Sequence, residues 1–238
     1  MPGALILVRF GDLLQRHLCD RVVPSLVDAQ RLLYWADTGG LSFRQGLSGA
    51  PQGPWVCQSV LVDREWLGIW RVSVTEMLAE LLATFGERFG FDPGANAVGP
   101  PAVAQAVASV AALRPAPARD LLIFYENIGE VSLPDVGNGY FIHAPRLVVE
   151  QARAGGPRRI GLPVDVDVLA FASDGGGALY ALPAAKAGPV YRLRGYVLRD
   201  GVAAARDVQI VAGDLRAFLQ RLKLAVETFT STGNLIDL

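Results

Sequence analysis

The sequence predicts an α+β fold with a mainly antiparallel sheet. Three observations carry this expectation: apolar residues recur at three- and four-residue spacing before residue 130, short β-branched and aromatic runs follow from 139 to 212, and a helical repeat closes the chain. A doubly wound parallel sheet would alternate the two patterns along its length. The chain has 238 residues, 51% hydrophobic and 19% charged, enough apolar material for a packed core and too little charge for a disordered tail. That length accommodates one or two domains.

Taken in order, "GDLLQRHLCD" and "PSLVDAQRLLYWAD" read as two short helices, with Pro24 in a first turn and Gly39-Gly40 as a stop. The runs "WVCQSVLVD" and "WLGIWRVSV", separated by Arg64-Glu65, read as a hairpin because both are rich in β-branched and aromatic residues. A helix follows over "VTEMLAELLATFGERFG", with Thr75 as its cap and Met77, Leu78, Leu81, Leu82 and Phe85 on one apolar face. The segment "GFDPGANAVGPP" cannot continue it, since Gly90, Pro93, Gly94, Gly99, Pro100 and Pro101 break any helix. It is expected to separate an N-terminal unit, 1–92, from a second domain, 93–238.

Beyond that break, "AVAQAVASVAAL" and "PARDLLIFYENIG" read as helices, the second starting after Pro117 and stopping at Gly129. Strands are expected at "GYFIHA", "VDVLAFAS", "ALYALP", "PVYRLRGYVL" and "DVQIVA", between turns rich in Gly, Pro and Asp. The final helix, "GDLRAFLQRLKLAVETF", places Leu215, Phe218, Leu219, Leu222 and Val226 on one side.

Composition excludes several functions. Charged or amide residues interrupt every apolar run before it reaches the roughly 18–20 residues of a membrane span, so no membrane partner is expected. Residues 1–92 carry 8 basic and 10 acidic side chains and residues 93–238 carry 14 and 13. Neither part has the basic excess that nucleic-acid binding by counterion release demands. Two cysteines, Cys19 and Cys57, make no disulfide framework, and the opening "MPGALILVRFGD" lacks the basic start and apolar length of a secretion signal. The cytoplasm is the expected compartment.

Catalytic and metal-binding patterns are equally thin. His17 and His143 are the two histidines, and His17 and Cys19 face different directions on a helix, so no metal or other cofactor is expected. No G-x-S-x-G elbow occurs; "GLSGA" at 46–50 is the nearest sequence. Asp165 and Asp167 share one face of a strand, where a solvated face explains them better than acid/base work. The glycine run in "FASDGGGALYAL" lacks the Lys-Ser/Thr of a phosphate loop and joins two strands, so it reads as a hairpin turn. Asp174 and Gly175 are expected to supply its positive φ angles, and the third glycine to permit a bulge.

Taken together, "AVASVAALRPAPARDLLIFYENIGEV", "LPDVGNGYFIHAPRLV", "VLAFASDGGGALYALPAAKAGPVYRL" and "VAGDLRAFLQRL" resemble the SUKH superfamily of cell-wall-assembly regulators and bacterial immunity proteins, over residues about 98–228. The matching features are two helices with a proline-containing break, a strand and short helix, a central Asp-Gly-Gly-Gly hairpin and a closing helix. Residues 1–92 have no counterpart in that pattern. The resemblance implies an α+β domain that binds a protein partner, such as a toxin domain, beside its sheet and performs no catalysis. Candidate partner-binding residues are Glu126, Asn127, Asp135, Asn138, Tyr140 and Asp174, each of which also has a structural reading as turn, core or cap.

Two further readings stand beside it. Trp55, Trp66 and Trp70 cluster in the unmatched N-terminal part and suit a regulator or scaffold joining two proteins, or a core. An enzyme of unknown reaction is the other reading, and a pocket that pairs His143 with Glu126, Glu130 or Asp174 would favour it. The near-neutral charge of the second domain argues against electrostatic capture of a basic toxin.

Overall fold

Asp63 sets the start of the first helix among the residues that the computed structural model describes, 62–194 and 200–238, all within one compact unit, Val60–Leu238. In extended backbone, Asp63 accepts a hydrogen bond from the Trp66 N–H at 2.8 Å, and α1 (Arg64–Phe89) runs from there to Gly90, which closes it in the left-handed conformation. The expected strand over 66–74 and the Thr75 cap are therefore corrected to one 26-residue helix. Leu67, Trp70, Val74, Leu78, Leu81 and Phe85 are all buried at three- and four-residue spacing. Burying each contributes about 2 kcal/mol, more than the few tenths by which Val, Ile and Trp disfavour helix. The expectations that fall on residues 1–61, including both early helices, Cys19, Cys57 and most of the strand over 55–63, lie outside the described residues, as do residues 195–198 of "PVYRLRGYVL".

Helix α1 shares its core with the later helices and one face of the sheet. Trp70 Nε1 donates to the Leu219 carbonyl of the last helix at 2.8 Å, and the Phe89 ring stacks on Phe229 at 5.5 Å. The Gly/Pro segment 90–101 thus crosses the surface of a single compact unit, with only Asn96 buried, and the division expected at residue 92 falls inside that unit. Part of that segment even joins the sheet, as strand β1 (Ala97–Val98).

Next come α2 (Ala104–Ala111), α3 (Arg119–Asn127), β2 (Val131–Leu133), β3 (Tyr140–Ile142) and α4 (Pro145–Arg153), which starts on a proline. Then follow β4 (Arg159–Ile160), β5 (Val166–Asp174), β6 (Leu179–Pro183), β7 (Val190–Leu193), β8 (Val202–Ala203), a 3₁₀ turn, β9 (Val208–Ala212) and α5 (Leu215–Thr232). Asp214 caps α5 by accepting from the Ala217 N–H at 2.7 Å.

The strand order is β1-β2-β3-β5-β6-β7-β9, every neighbour antiparallel, while β4 pairs antiparallel with β5 and parallel with β8. The fold is α+β with a mainly antiparallel sheet, as the segregated patterns predict. One sheet face carries Tyr180, Leu182, Val190 and Val211 into the core made by the helices. The other buries Val168, Ala170, Ala181 and Leu193 against Ile160 and Ala203. Covered on both faces, β6 has every residue buried, which is why it reads as an unbroken apolar run.

The β5–β6 hairpin tip packs onto the turn between β2 and β3. Gly175 N–H donates to the Gly139 carbonyl at 3.0 Å, and a Cβ at 175 would stand 1.9 Å from the Asn138 carbonyl oxygen. Gly177 alone in the tip has a positive φ, +81°, so the strained position is the third glycine and not Asp174 or Gly175. We expect Gly175→Ala to lower unfolding free energy by about 3 kcal/mol in urea denaturation, and Gly177→Asn by less than about 1 kcal/mol, because asparagine tolerates the left-handed conformation and nothing crowds that site. Equal losses would contradict the packing.

Candidate functional site

The six residues expected to bind a partner lie in two places. Glu126 and Asn127 end α3. Glu126 pairs with Arg64 of α1 at 2.7 Å, both side chains well exposed, and Asn127 Nδ2 donates back to the Ile123 carbonyl at 2.7 Å. The other four belong to the β2–β3 turn and the hairpin tip, through the register that sets Tyr140 opposite Asp174.

At this second place most of the polar groups are consumed by the fold. Asp135 accepts from the Gly94 N–H at 2.6 Å and from Asn96 Nδ2, while its own N–H donates to Asn96 Oδ1 at 3.2 Å. Asn138 is exposed, with its carbonyl against Gly175. Tyr140 is buried and donates its hydroxyl to the Ile236 carbonyl at 2.8 Å. Asp174, its side chain 0% exposed, accepts from the N–H groups of Gly176 and Ala178 at 3.0 Å and from the Tyr180 hydroxyl at 3.3 Å, and forms an ion pair with Arg192 of β7. Burial, more than any neighbouring charge, pushes the Tyr140 and Tyr180 phenols above the usual tyrosine range, so both stay protonated and donate. Tyr140 and Asp174 hold the sheet together and offer no free group to a partner.

Arg192 and Tyr180 escaped the sequence reading, although a signal exists. An arginine in the apolar run "PVYRL" needs a counter-charge if the strand is buried, and Asp174 is the acid at the end of the first strand of the preceding hairpin. Arg64 escaped because its segment was read as a turn.

Around Glu126 the surface is concave. A cleft of about 570 Å³ is lined by Asp63, Arg119, Asp120 and Ile123, and a second of about 540 Å³ by Ala104, Val107 and Asn127. Arg64 and Glu126 border both. Asp120 is buried in the first turn of α3. Its carboxyl is pushed above the usual range by burial and then by the Asp214 charge, against a hydrogen bond from the Val62 backbone.

His143 bonds to none of the acids named for an enzyme reading, although with the exposed Glu130 it lines a cleft of about 400 Å³. Its Nε2 lies 2.8 Å from Ser173 Oγ, and the Gln151 side chain sits beside the ring, although neither Gln151 Oε1 nor His143 Nδ1 completes a bond of good geometry. Nor does the adjoining tip offer oxyanion donors, since the N–H groups of residues 175 to 178 bond to Gly139, Asp174 Oδ1, the Asp174 carbonyl and Asp174 Oδ1 in turn. Among the described residues no group of three or more His, Cys, Asp or Glu side chains could hold a metal ion, and no helix is long and apolar enough to cross a membrane. No protein-family model matches the chain, and no curated protein matches it.

Burial holds the His143 imidazole below its ordinary range, with Gln151 only partly offsetting this. The unfolded chain therefore takes up this proton more readily than the folded one, so His143 costs stability as pH falls through about 6.5 and costs none above it. Between about pH 7 and about pH 5, urea denaturation should show a larger loss of unfolding free energy for the native chain than for His143→Gln. Parallel losses would contradict a neutral buried imidazole.

Proposed function

We propose that the chain is a non-enzymatic protein-binding module of SUKH type, acting in the cytoplasm as an immunity protein that binds and neutralises a toxin domain. The observation that carries this reading is the pair of clefts at the junction of α1, α2 and α3, bordered on both sides by the exposed Arg64–Glu126 ion pair. Concave, mixed polar and apolar ground of this kind suits a protein surface. Of the residues expected to bind a partner, Glu126 and Asn127 stand there and keep exposed or half-exposed polar atoms. In its favour, too, is the element order after residue 101: two helices, two strands, a short helix, a mainly antiparallel run of strands with a central Asp-Gly-Gly-Gly hairpin, and a closing helix.

The test is co-purification of the full-length chain with the products of the genes flanking its own. One of them should be retained, and Glu126→Arg should weaken retention by about tenfold, equivalent to about 1.4 kcal/mol. The fold should survive that substitution because an exposed ion pair is worth no more than about 1 kcal/mol. Retention of no product above a mock column, or retention indifferent to Glu126→Arg at unchanged stability, would overturn the assignment to these clefts.

A further inference from the structure

Helix α1 has a second face that the core does not use. Opposite the buried Leu67, Trp70, Val74, Leu78, Leu81 and Phe85 run Glu65, Ile69, Val72, Glu76, Glu80, Ala83 and Glu87, all exposed. At 100° per residue these seven fall within an arc of about 80°, a straight strip some 33 Å long at about 1.5 Å rise per residue. Ile69 is 63% and Val72 57% exposed, among the largest exposures of any apolar side chain in a described helix, and with Gly68 they floor a shallow depression of about 480 Å³ that ends on Glu65 and Glu76.

The charges of the strip are uncompensated. Glu65, Glu76, Glu80 and Glu87 form no ion pair among the described residues, because the nearby cations are engaged elsewhere or lie off the strip. Arg64 is held by Glu126, Arg88 donates to the Phe229 and Thr230 carbonyls, and Arg71 lies half-buried on the flank. Solvation alone accounts for the glutamates but not for two β-branched residues set in the middle of them at helical spacing.

We propose that this outer face of α1 is a docking strip for a basic, amphipathic segment of a protein partner, with Ile69 and Val72 as apolar anchors and the four glutamates as its flanking charges. The proposal rests on the protein-binding reading above and adds the surface and the chemistry of the partner. Charge decides the occupant. A second copy of this helix would set glutamates against glutamates, an anionic membrane or a nucleic acid would be repelled, and a segment with Lys or Arg flanking an apolar stripe satisfies both components. A near-neutral net charge of -1 over the whole chain therefore coexists with one strongly acidic helix face.

The test is selection of random displayed peptides of about sixteen residues, roughly the length of the Glu65–Glu80 part of the strip, on the immobilised full-length chain. Expected are peptides rich in Lys and Arg with apolar residues three or four apart. Their enrichment should fall at least about tenfold on Ile69→Ser/Val72→Ser and, independently, on Glu76→Arg. Both variants alter exposed positions and should melt at the native temperature, and the charge reversal keeps the test open should the serine pair unfold. Enrichment of neutral or acidic peptides, enrichment unchanged by either variant, or no enrichment would overturn the strip. A chain that fails in this way yet retains a flanking-gene product through Glu126 would remain a binding module without this strip.

Discussion

The buried ion pair between Asp174 and Arg192 is the interaction on which the strand half of the fold depends. One carboxylate oxygen closes the hairpin tip by accepting two backbone N–H groups, and the other receives Arg192 and the Tyr180 hydroxyl. Three strands, β5, β6 and β7, are thereby fixed in register at one end. The fully buried carboxylate finds its hydrogen-bond partners here, and the arginine, only 11% exposed, needs it in return. The same tip docks on the β2–β3 turn through Gly175, where only a residue without a side chain fits, so the pair also determines where the outer strands lie.

The strands and the closing helix were legible because their signals are local. The run "VDVLAFASDGGGALYALP" shows two apolar stretches and a turn, and it forms β5 and β6. Helix α1 was half legible. Its last sixteen residues carry clear helical spacing, but "WLGIWRVSV" is equally regular as a strand, and what decides is the burial of Leu67 and Trp70 in the common core, where Trp70 bonds to the last helix 149 residues away. A break rich in Gly and Pro marks where a helix ends, not where a core ends, and for that reason residues 90–101 look like a linker while sitting inside one packed unit.

Among the site residues, the sequence identified the polar positions but not their employment. Asp174 suits both a partner contact and a turn cap by sequence, and the structure makes it a cap with an ion pair added. Tyr140 proved to be core, and Asp135 closes a reciprocal bond with Asn96. Glu126 and Asn127 stay on the surface because α3 ends there, facing Arg64 on the first turn of α1, a stretch that reads as a hairpin in the sequence. The acidic face of α1 was hidden for the same reason: four glutamates spread over twenty-three residues become a strip only on a continuous helix.

The central claim is that Asp174 and Arg192 act as one structural unit, and a double-mutant cycle tests it most directly. Urea denaturation of Asp174→Asn, Arg192→Met and the double variant should give a loss of about 3–5 kcal/mol for each single change and a loss for the double variant well below their sum, since each single change strands a buried group that the other removes. Additive losses, or single losses under about 1 kcal/mol, would contradict the account.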